Sequence, residues 1–440
     1  MCTTAVCASL LLAVSMLGQQ PKKDWIDRGE YDLFNSCATQ QDANKKLDCL
    51  KSWREKYPNS NFKHEGLTLS LTAYVALGKG ADVAKTAKEI LVLSPADLTA
   101  LYYLTSMAAN NTDPGALADG EKAATTLLAS LDATFAADKK PANTPADAWA
   151  KARKDMELLG TRVLAWVATQ GKDTAKTEKA IMTLLAMTPN DGEASYWMYT
   201  TIRGQKNAAR NSEAFFYLAR AATLTKDKGG FPDENRVKVN DFFVKAYNSY
   251  HGADDAGLAE LRKLSLDGIK PPAGYVIKTS GEIASEKEKE FVTKNPQLAF
   301  WMNMKKELAT AEGEKFFEER VKGAALPGKI EGTEFTRLKG RLISHKPAAN
   351  PKELVLQMDT TQTNATDGDV ILKFEKALNG KADPGIEIEF EGVAAAFTRE
   401  PFALTFEVEK DNLVGWPVQA ATPAKKAVAP VKKAIAPKKK

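Results

Sequence analysis

Proline interrupts the apolar pattern of this chain at three similar places, and an amphipathic segment follows each one. The three junctions are Tyr57-Pro58-Asn59, Leu93-Ser94-Pro95 and Met187-Thr188-Pro189. Proline ends a helix because its ring removes a backbone donor and clashes with the preceding turn. A chain with recurring junctions of this kind is predicted to form stacked helical hairpins.

Two of the junctions are similar in sequence on both sides of the proline. The alignment places Leu184, Leu185, Met187, Thr188, Pro189, Ala194 and Tyr196 at the positions of Ile90, Leu91, Leu93, Ser94, Pro95, Ala100 and Tyr102. The repeat is irregular, because 37 residues separate Pro58 from Pro95 and 94 separate Pro95 from Pro189. Insertions are therefore expected in the third and fourth hairpins.

Apolar residues at spacings of three and four predict helices from Trp25 to about Leu264. The predicted hairpins cover residues 28–57, 62–93, 96–136, 145–187, 190–224 and 232–265. A further helical stretch, Glu282 to Val321, lies in a predicted connector at 266–328. It carries a stripe that is predicted to pack in a core: Phe300, Trp301, Met302, Met304, Phe316 and Phe317.

The segment 21–265 resembles tetratricopeptide repeats in its small and aromatic positions. The second and fifth hairpins supply them: Leu67, Leu71, Tyr74, Ala84, Ala87 and Pro95, then Ala214, Leu218 and Ala221. The resemblance implies an α-solenoid that binds a protein or peptide partner. The sequence holds no regular Lys, Arg and Asn set that would clamp a peptide carboxylate.

Beyond residue 329 the apolar period changes from about 3.6 to 2, which predicts strands. Ile386–Glu391 and Phe402–Glu409 alternate strictly, and three more strands are predicted at Thr336–Ser344, Glu353–Met358 and Asp369–Glu375. The segment 329–417 is therefore predicted to be a small antiparallel β-barrel, similar to an OB-fold. An immunoglobulin-like β-sandwich is the alternative. The predicted fold class is multidomain α + β.

The first twenty residues carry no charged side chain and contain the apolar run Ala8 to Leu17. This pattern predicts a signal peptide at 1–20 and an exported protein of the periplasm or cell envelope. The signal is atypical, since no Lys or Arg precedes the run. An ordinary buried N-terminal helix is the alternative.

Cys37 and Cys49 are the cysteines that follow the predicted signal peptide. If the first hairpin turns near residues 41–43, the two face each other and form a candidate disulfide, as an exported protein permits. Two reduced core cysteines are the alternative. No metal site is predicted, because the three histidines are scattered and no second cysteine pair exists.

The net charge of +5 does not describe the folded part of the chain. Residues 418–440 contain seven lysines and no acid, so the remainder carries −2. This Lys/Ala/Pro tail is predicted to be disordered. Its lysines are candidate contacts for an anionic envelope polymer or a membrane surface: Lys425, Lys426, Lys432, Lys433, Lys438, Lys439 and Lys440. A solubilising extension is the alternative.

The predicted barrel is acidic, with 10 Lys and Arg against 15 Asp and Glu between Ile330 and Pro417. Its strand pattern places Glu387, Glu389, Glu391, Glu407 and Glu409 on the outer face. A polyanion would be repelled by such a face, so nucleic acid is not the favoured partner. A solvated strand face is the simplest interpretation, and cation binding is the alternative.

Phosphate loops, nucleophile elbows and zinc-binding helices have sequence signatures that do not occur in this chain. We therefore predict no enzymatic activity and no cofactor. The combination of features resembles exported bacterial repeat proteins. It predicts a non-catalytic, protein-binding scaffold, and the alternative is a nucleic-acid binder that uses the barrel and the basic tail.

Overall fold

The computed structural model of the chain describes residues 23–328, 335–361 and 367–417. The chain divides into a helical unit, Met1–Ser280, and a second unit, Gly281–Lys440, which carries the strands. A helical N-terminal region followed by a strand domain was predicted from the change of apolar period, and this coarse organisation is confirmed.

The described part of the helical unit contains twelve α-helices, two within each predicted hairpin. They are α1 (Arg28–Thr39), α2 (Ala43–Lys56), α3 (Lys63–Ala76), α4 (Gly80–Leu93), α5 (Leu98–Ala108), α6 (Pro114–Thr134), α7 (Ala146–Gln170), α8 (Thr174–Met187), α9 (Gly192–Gly204), α10 (Asn211–Thr223), α11 (Asp233–His251) and α12 (Asp255–Leu266). Each of α1 to α10 packs against the next helix in the chain, and α12 also packs against α10. The result is a solenoid-like succession.

Aspartate starts many of these helices. Seven N-cap aspartates accept a hydrogen bond from a backbone N–H of the first turn: Asp27, Asp42, Asp97, Asp113, Asp173, Asp191 and Asp254. Each such cap stabilises its helix by about 1 kcal/mol, because it satisfies a donor that has no partner inside the helix. Local chemistry therefore sets most of the helix starts.

The first hairpin carries a disulfide. Cys37 on α1 and Cys49 on α2 are bonded to each other, with their Cα atoms 5.3 Å apart. Cys37 is fully buried and packs in one cluster with Phe34, Leu50 and Trp53. The disulfide therefore joins the two helices within their own small core.

The second unit begins with helices and continues as strands. The helices are α13 (Ser280–Lys294), α14 (Pro296–Ala309), α15 (Gly313–Phe316) and a π-helical turn (Phe317–Val321). The strands are β1 (Ala325–Leu326), β2 (Leu338–Lys346), β3 (Glu353–Gln357), β4 (Val370–Lys373), β5 (Glu387–Phe390), β6 (Gly392–Arg399), β7 (Phe402–Glu407) and β8 (Leu413–Val414).

The aromatic stripe of the predicted connector packs against these strands. Trp301 and Phe317 are buried in the strand core, and Phe300, Met304 and Phe316 are partly buried against it. Met302 was wrongly placed in the stripe and is 51% exposed. Successive helical residues point about 100° apart, so the residue after Trp301 does not share its face.

The described strands form one sheet in the order β1-β6-β7-β4-β3-β2-β5-β8. The prediction of a wholly antiparallel barrel is wrong, because β4 and β7 pair in parallel, with Leu372 opposite Phe406. A parallel pair needs a crossover connection, and residues 374–401 supply it. Because all eight strands belong to a single sheet, the two-sheet sandwich alternative is not supported.

The sheet is curled, and the connection between β5 and β6 shows why. Only Glu391 separates the two strands, yet β5 pairs with β2 and β6 pairs with β7. β5 therefore belongs to the β2 side of the sheet and β6 to the β7 side. Because a single residue joins β5 to β6, these two sides lie close together and the sheet curls. β6 was not predicted, since its Gly-Val-Ala-Ala-Ala sequence lacks strict alternation and is mostly alanine, which is depleted in strands.

Alternation in the strands separates an apolar interior from a glutamate face, as predicted. Ile388 and Phe390 are fully buried, whereas Glu387 is exposed and pairs with Lys339 at 2.6 Å. In β7, Leu404 and Phe406 point inward and Glu407 outward. The glutamate face is therefore a solvated surface that is partly neutralised by cross-strand lysine.

We expect the double substitution Cys37→Ala and Cys49→Ala to destabilise the first hairpin by about 2–4 kcal/mol, because the unfolded hairpin is no longer cross-linked. Hydrogen exchange should show reduced protection of α1 and α2, while α5 remains protected. Thiol titration of the denatured wild-type protein should find no free Cys37 or Cys49, and two free thiols would contradict the disulfide.

Candidate functional site

The two similar proline junctions have the same backbone hydrogen bonds. Ser94 N–H donates to Ile90 O and Thr188 N–H donates to Leu184 O, both at 2.8 Å. An aspartate lies two residues after each proline, at Asp97 and Asp191. Their Oδ1 atoms accept from the backbone N–H three residues later, at 2.8 and 2.9 Å. The two junctions are therefore similar in backbone conformation as well as in sequence.

Each of these aspartates also contacts a basic side chain on the first helix of the preceding hairpin. Asp97 Oδ2 lies 3.0 Å from His64 Nε2, and Asp191 Oδ2 accepts from Arg162. Arg162 also donates to Glu193 and lies over the Trp197 ring, 5.3 Å from its centroid. Burial opposes the charge of Arg162, but the two carboxylates outweigh burial and raise its pKa.

The second junction lines a cleft with a volume of about 750 Å³. Its walls are the loop that leads into α9 and the loop that precedes α11, with Arg162 at one side. The lining residues are Arg162, Thr188, Pro189, Asn190, Asp191, Glu193, Asp227, Lys228, Gly229, Gly230, Phe231, Pro232 and Asn235.

Glycine allows the two loops of the cleft to touch. Gly192 N–H donates to Gly229 O at 3.0 Å. Gly229 has φ +91°, and a Cβ there would lie 2.1 Å from Asn190 O. A Cβ on Gly230 would lie 1.9 Å from Leu224 O. The Gly229-Gly230 pair is thus required by backbone contact rather than by turn propensity alone.

Arg220 on α10 stabilises the cleft loop that leads into α9. Its guanidinium is buried and donates to Pro189 O and Ser265 O, and to Gly268 O at 2.7 Å. Burial lowers its pKa, and the acceptors it meets are carbonyl oxygens near the C-terminal end of α12 and in the cleft loop. The favourable end of the helix dipole supports this cation.

Aromatic rings continue from the cleft onto the first helices of the fifth and sixth hairpins. Phe231 contacts Tyr196 with ring centroids 6.0 Å apart, Tyr196 contacts Tyr199 at 5.9 Å, and Tyr199 contacts Phe242 at 5.9 Å. We call these four residues the aromatic row. Burial raises the pKa of Tyr199, so its hydroxyl stays neutral, while Phe242 is 44% exposed.

The carboxylates of the cleft have hydrogen-bond partners within the protein. Asp191 and Glu193 are engaged by Arg162, and the Asp227 carboxylate accepts from Thr225, which lowers its pKa. What the cleft offers a ligand is a polar concavity with asparagine side chains beside a strip of aromatic rings. Such surfaces give large contact area at low entropy cost.

The structure places the residues predicted from sequence as follows. Cys37 and Cys49 form the disulfide in the first hairpin and do not line the cleft. The candidate tail contacts Lys425, Lys426, Lys432, Lys433, Lys438, Lys439 and Lys440 lie outside the described residues. His64, His251 and His345 lie in separate places, each with its own protein partners.

The described ranges hold neither a metal-binding cluster nor a membrane-spanning helix. His, Cys, Asp and Glu side chains in these ranges do not gather in groups of three that could ligate a metal ion. Likewise, no described helix combines the length and apolar content needed to cross a bilayer. Comparison with known proteins found neither a matching protein-family model nor a matching curated protein.

The sequence interpretation missed Arg162, Asp191 and the aromatic row. The matching aspartates at Asp97 and Asp191 were a usable signal, because aspartate before a helical segment predicts an N-cap. The row has no such signal, since Phe231 and Phe242 join it only through packing between hairpins.

We expect Gly229→Ala to destabilise the cleft loops by more than about 1 kcal/mol, because alanine resists positive φ and its Cβ meets Asn190 O. Hydrogen exchange should show lower protection around residues 188–193. Gly204→Ala is the matched control, since a Cβ there meets nothing within 4 Å. Equal effects of the two substitutions would contradict the close contact of the loops.

The His64–Asp97 pair should make stability depend on pH. The hydrogen bond that His64 donates to Asp97 raises the pKa of His64 despite partial burial. Because the pKa of His64 is higher in the folded state, protonation of His64 stabilises the fold. This stabilisation is fully present below about pH 6.5, the ordinary pKa of histidine, and is lost as the pH rises through the folded-state pKa. His64→Gln should therefore destabilise the protein more at pH 5.5 than at pH 8.5, measured by denaturant unfolding.

Arg162→Gln is the control for this pH effect, because arginine keeps its charge at both pH values. Its cost should be similar at pH 5.5 and 8.5. A His64→Gln cost that does not vary with pH would contradict an ionic His64–Asp97 contact.

Proposed function

We propose that this protein is a non-catalytic scaffold of the cell envelope, which binds a protein or peptide partner along its helical unit. The single observation that carries the proposal is the aromatic row beside the cleft. It places a partly exposed ring, Phe242, at the end of a continuous strip that starts inside a polar concavity. Aromatic anchors next to hydrogen-bonding groups are typical of protein-binding surfaces.

We further propose that the helical unit is a tetratricopeptide-like solenoid. In support, the helices pack in chain order, and the two similar junctions use the same caps and the same type of cross-hairpin pair. In such an array, α9 and α11 are the first helices of adjacent hairpins. The aromatic row therefore follows the direction of stacking, as a surface for an extended segment would.

For the second unit we propose an OB-type barrel. If β5 and β6 are taken as one strand bent at Glu391, five strands complete a ring in the order β2, β3, β4, β7 and the bent strand. This ring supports a five-stranded Greek-key barrel. Its outward glutamates favour a role in assembly over polyanion binding, and the lysine tail is proposed to contact an anionic envelope surface.

Export is proposed from the apolar N-terminal run and is supported by the Cys37–Cys49 disulfide, since disulfides persist in oxidising compartments. The proposed location is the periplasm or the cell envelope. A cytosolic protein would be expected to keep these thiols reduced.

A peptide-display library selected on the full chain tests the binding proposal. Selected peptides should bind the wild-type protein and lose about tenfold or more in affinity for Phe242→Ala, because a central aromatic anchor is removed. Val237→Ala is the matched control: Val237 is 52% exposed on the same helix but has no part in the aromatic row. Its substitution should leave the affinity within about twofold, a change of less than 0.5 kcal/mol.

Deletion of residues 418–440 separates the proposal from a nucleic-acid binder. A scaffold that binds through the aromatic row keeps its peptide affinity after the deletion. Selection of no peptide, or equal loss for Phe242→Ala and Val237→Ala, would overturn the proposal. DNA or RNA binding that disappears with the tail would favour the nucleic-acid alternative.

A further inference from the structure

The last part of the helical unit is an irregular segment that runs from Ile269 to Lys278, which we call the strap. Ile277 is buried in the core of the fifth and sixth hairpins, and Ile269 and Tyr275 pack against the same core. Ile277 N–H donates to Ser212 Oγ on α10 at 2.9 Å. Ile277 thus anchors the end of the strap by apolar packing and by a hydrogen bond.

His251, the final residue of α11, makes a third attachment. Its Nδ1 lies 2.7 Å from Lys278 O, and its Nε2 lies 3.3 Å from Asp254 Oδ2. Asp254 is the N-cap of α12, and its Oδ1 accepts from Gly257 N–H at 3.0 Å. One imidazole therefore connects the end of α11, the start of α12 and the strap.

Both partners of the His251 ring are acceptors only. A backbone carbonyl and a carboxylate cannot donate, and a neutral imidazole carries a single N–H. Neutral His251 can therefore satisfy one partner at a time, and its other nitrogen then opposes an oxygen lone pair. The imidazolium donates to both.

Titratable and charged groups surround His251 on every element that packs against it. Hydrogen bonding from Gly257 N–H lowers the pKa of Asp254, and burial raises the pKa of Tyr247, whose ring is 5.1 Å from His251. Burial raises the pKa of Tyr275 on the strap to about 12. Glu260 on α12 and Lys278 on the strap carry the neighbouring charges.

We propose that protonated His251 fastens the strap to α11 and α12, and that loss of one proton to solvent releases the strap locally. The step breaks the hydrogen bond to Lys278 O, because the single N–H of the neutral ring stays with the charged Asp254 carboxylate. It requires no other change in the helical unit. The strap would then respond to the acidity of the compartment.

Hydrogen exchange of the Ile277 amide in the full chain tests this proposal, with rates corrected for the intrinsic pH dependence. The protection factor should fall about fivefold between pH 5.5 and 8, which corresponds to one hydrogen bond of about 1 kcal/mol. The Phe216 amide in α10 reports whether the core stays folded and should show no such change.

Two substitutions distinguish a His251 that acts through its proton from a His251 with a merely structural role. His251→Gln should abolish the pH dependence. Asp254→Asn should abolish it as well but keep Ile277 protected at pH 8, because the amide can donate to neutral Nε2 and asparagine is also a good N-cap. His345→Gln in the second unit is the control and should leave the pH dependence unchanged.

Constant protection of Ile277 in the wild-type protein would overturn the proposal. So would a fivefold fall that persists in His251→Gln, since the titrating group would then lie elsewhere.

Discussion

A buried carboxylate at the start of a helix organises the best-defined part of this protein. Asp191 caps α9 with one oxygen and binds Arg162 of the preceding hairpin with the other. A buried carboxylate with neither contact would be costly, and the two contacts together offset the cost of burying Asp191. One side chain thus determines where α9 begins and how the fourth hairpin meets the fifth.

The cleft and the aromatic row depend on that arrangement. Asp191 holds the loop that forms one wall, and Arg220 holds the same loop through Pro189 O from the opposite side. Gly229 and Gly230 then bring the second wall into backbone contact. With both walls positioned by buried polar contacts, Phe231 meets Tyr196 and the row continues to Phe242. Preorganisation of this kind lowers the entropy cost of capturing a partner.

The second unit uses the same device in a different setting. Asp369 accepts from Met358 N–H and from Trp301 Nε1–H, both at 2.9 Å, and contacts Lys305 Nζ at 3.2 Å. One carboxylate therefore attaches α14 to the strands while Trp301 fills the core beneath it. This attachment explains why the aromatic stripe before the strands belongs to their core.

The sequence by itself determined the positions of the helices and of most strands, because proline, N-cap aspartate and apolar periodicity act on near neighbours. The Leu93-Ser94-Pro95 and Met187-Thr188-Pro189 junctions end their helices where the pattern predicts. Tertiary structure alone decided that β4 and β7 run parallel, that β6 exists and that the sheet curls at Glu391. It also decided which aromatic side chains form the row, since Tyr199 and Phe242 lie on different hairpins. These contacts join residues far apart in the chain, and their energy arises only when whole elements pack together.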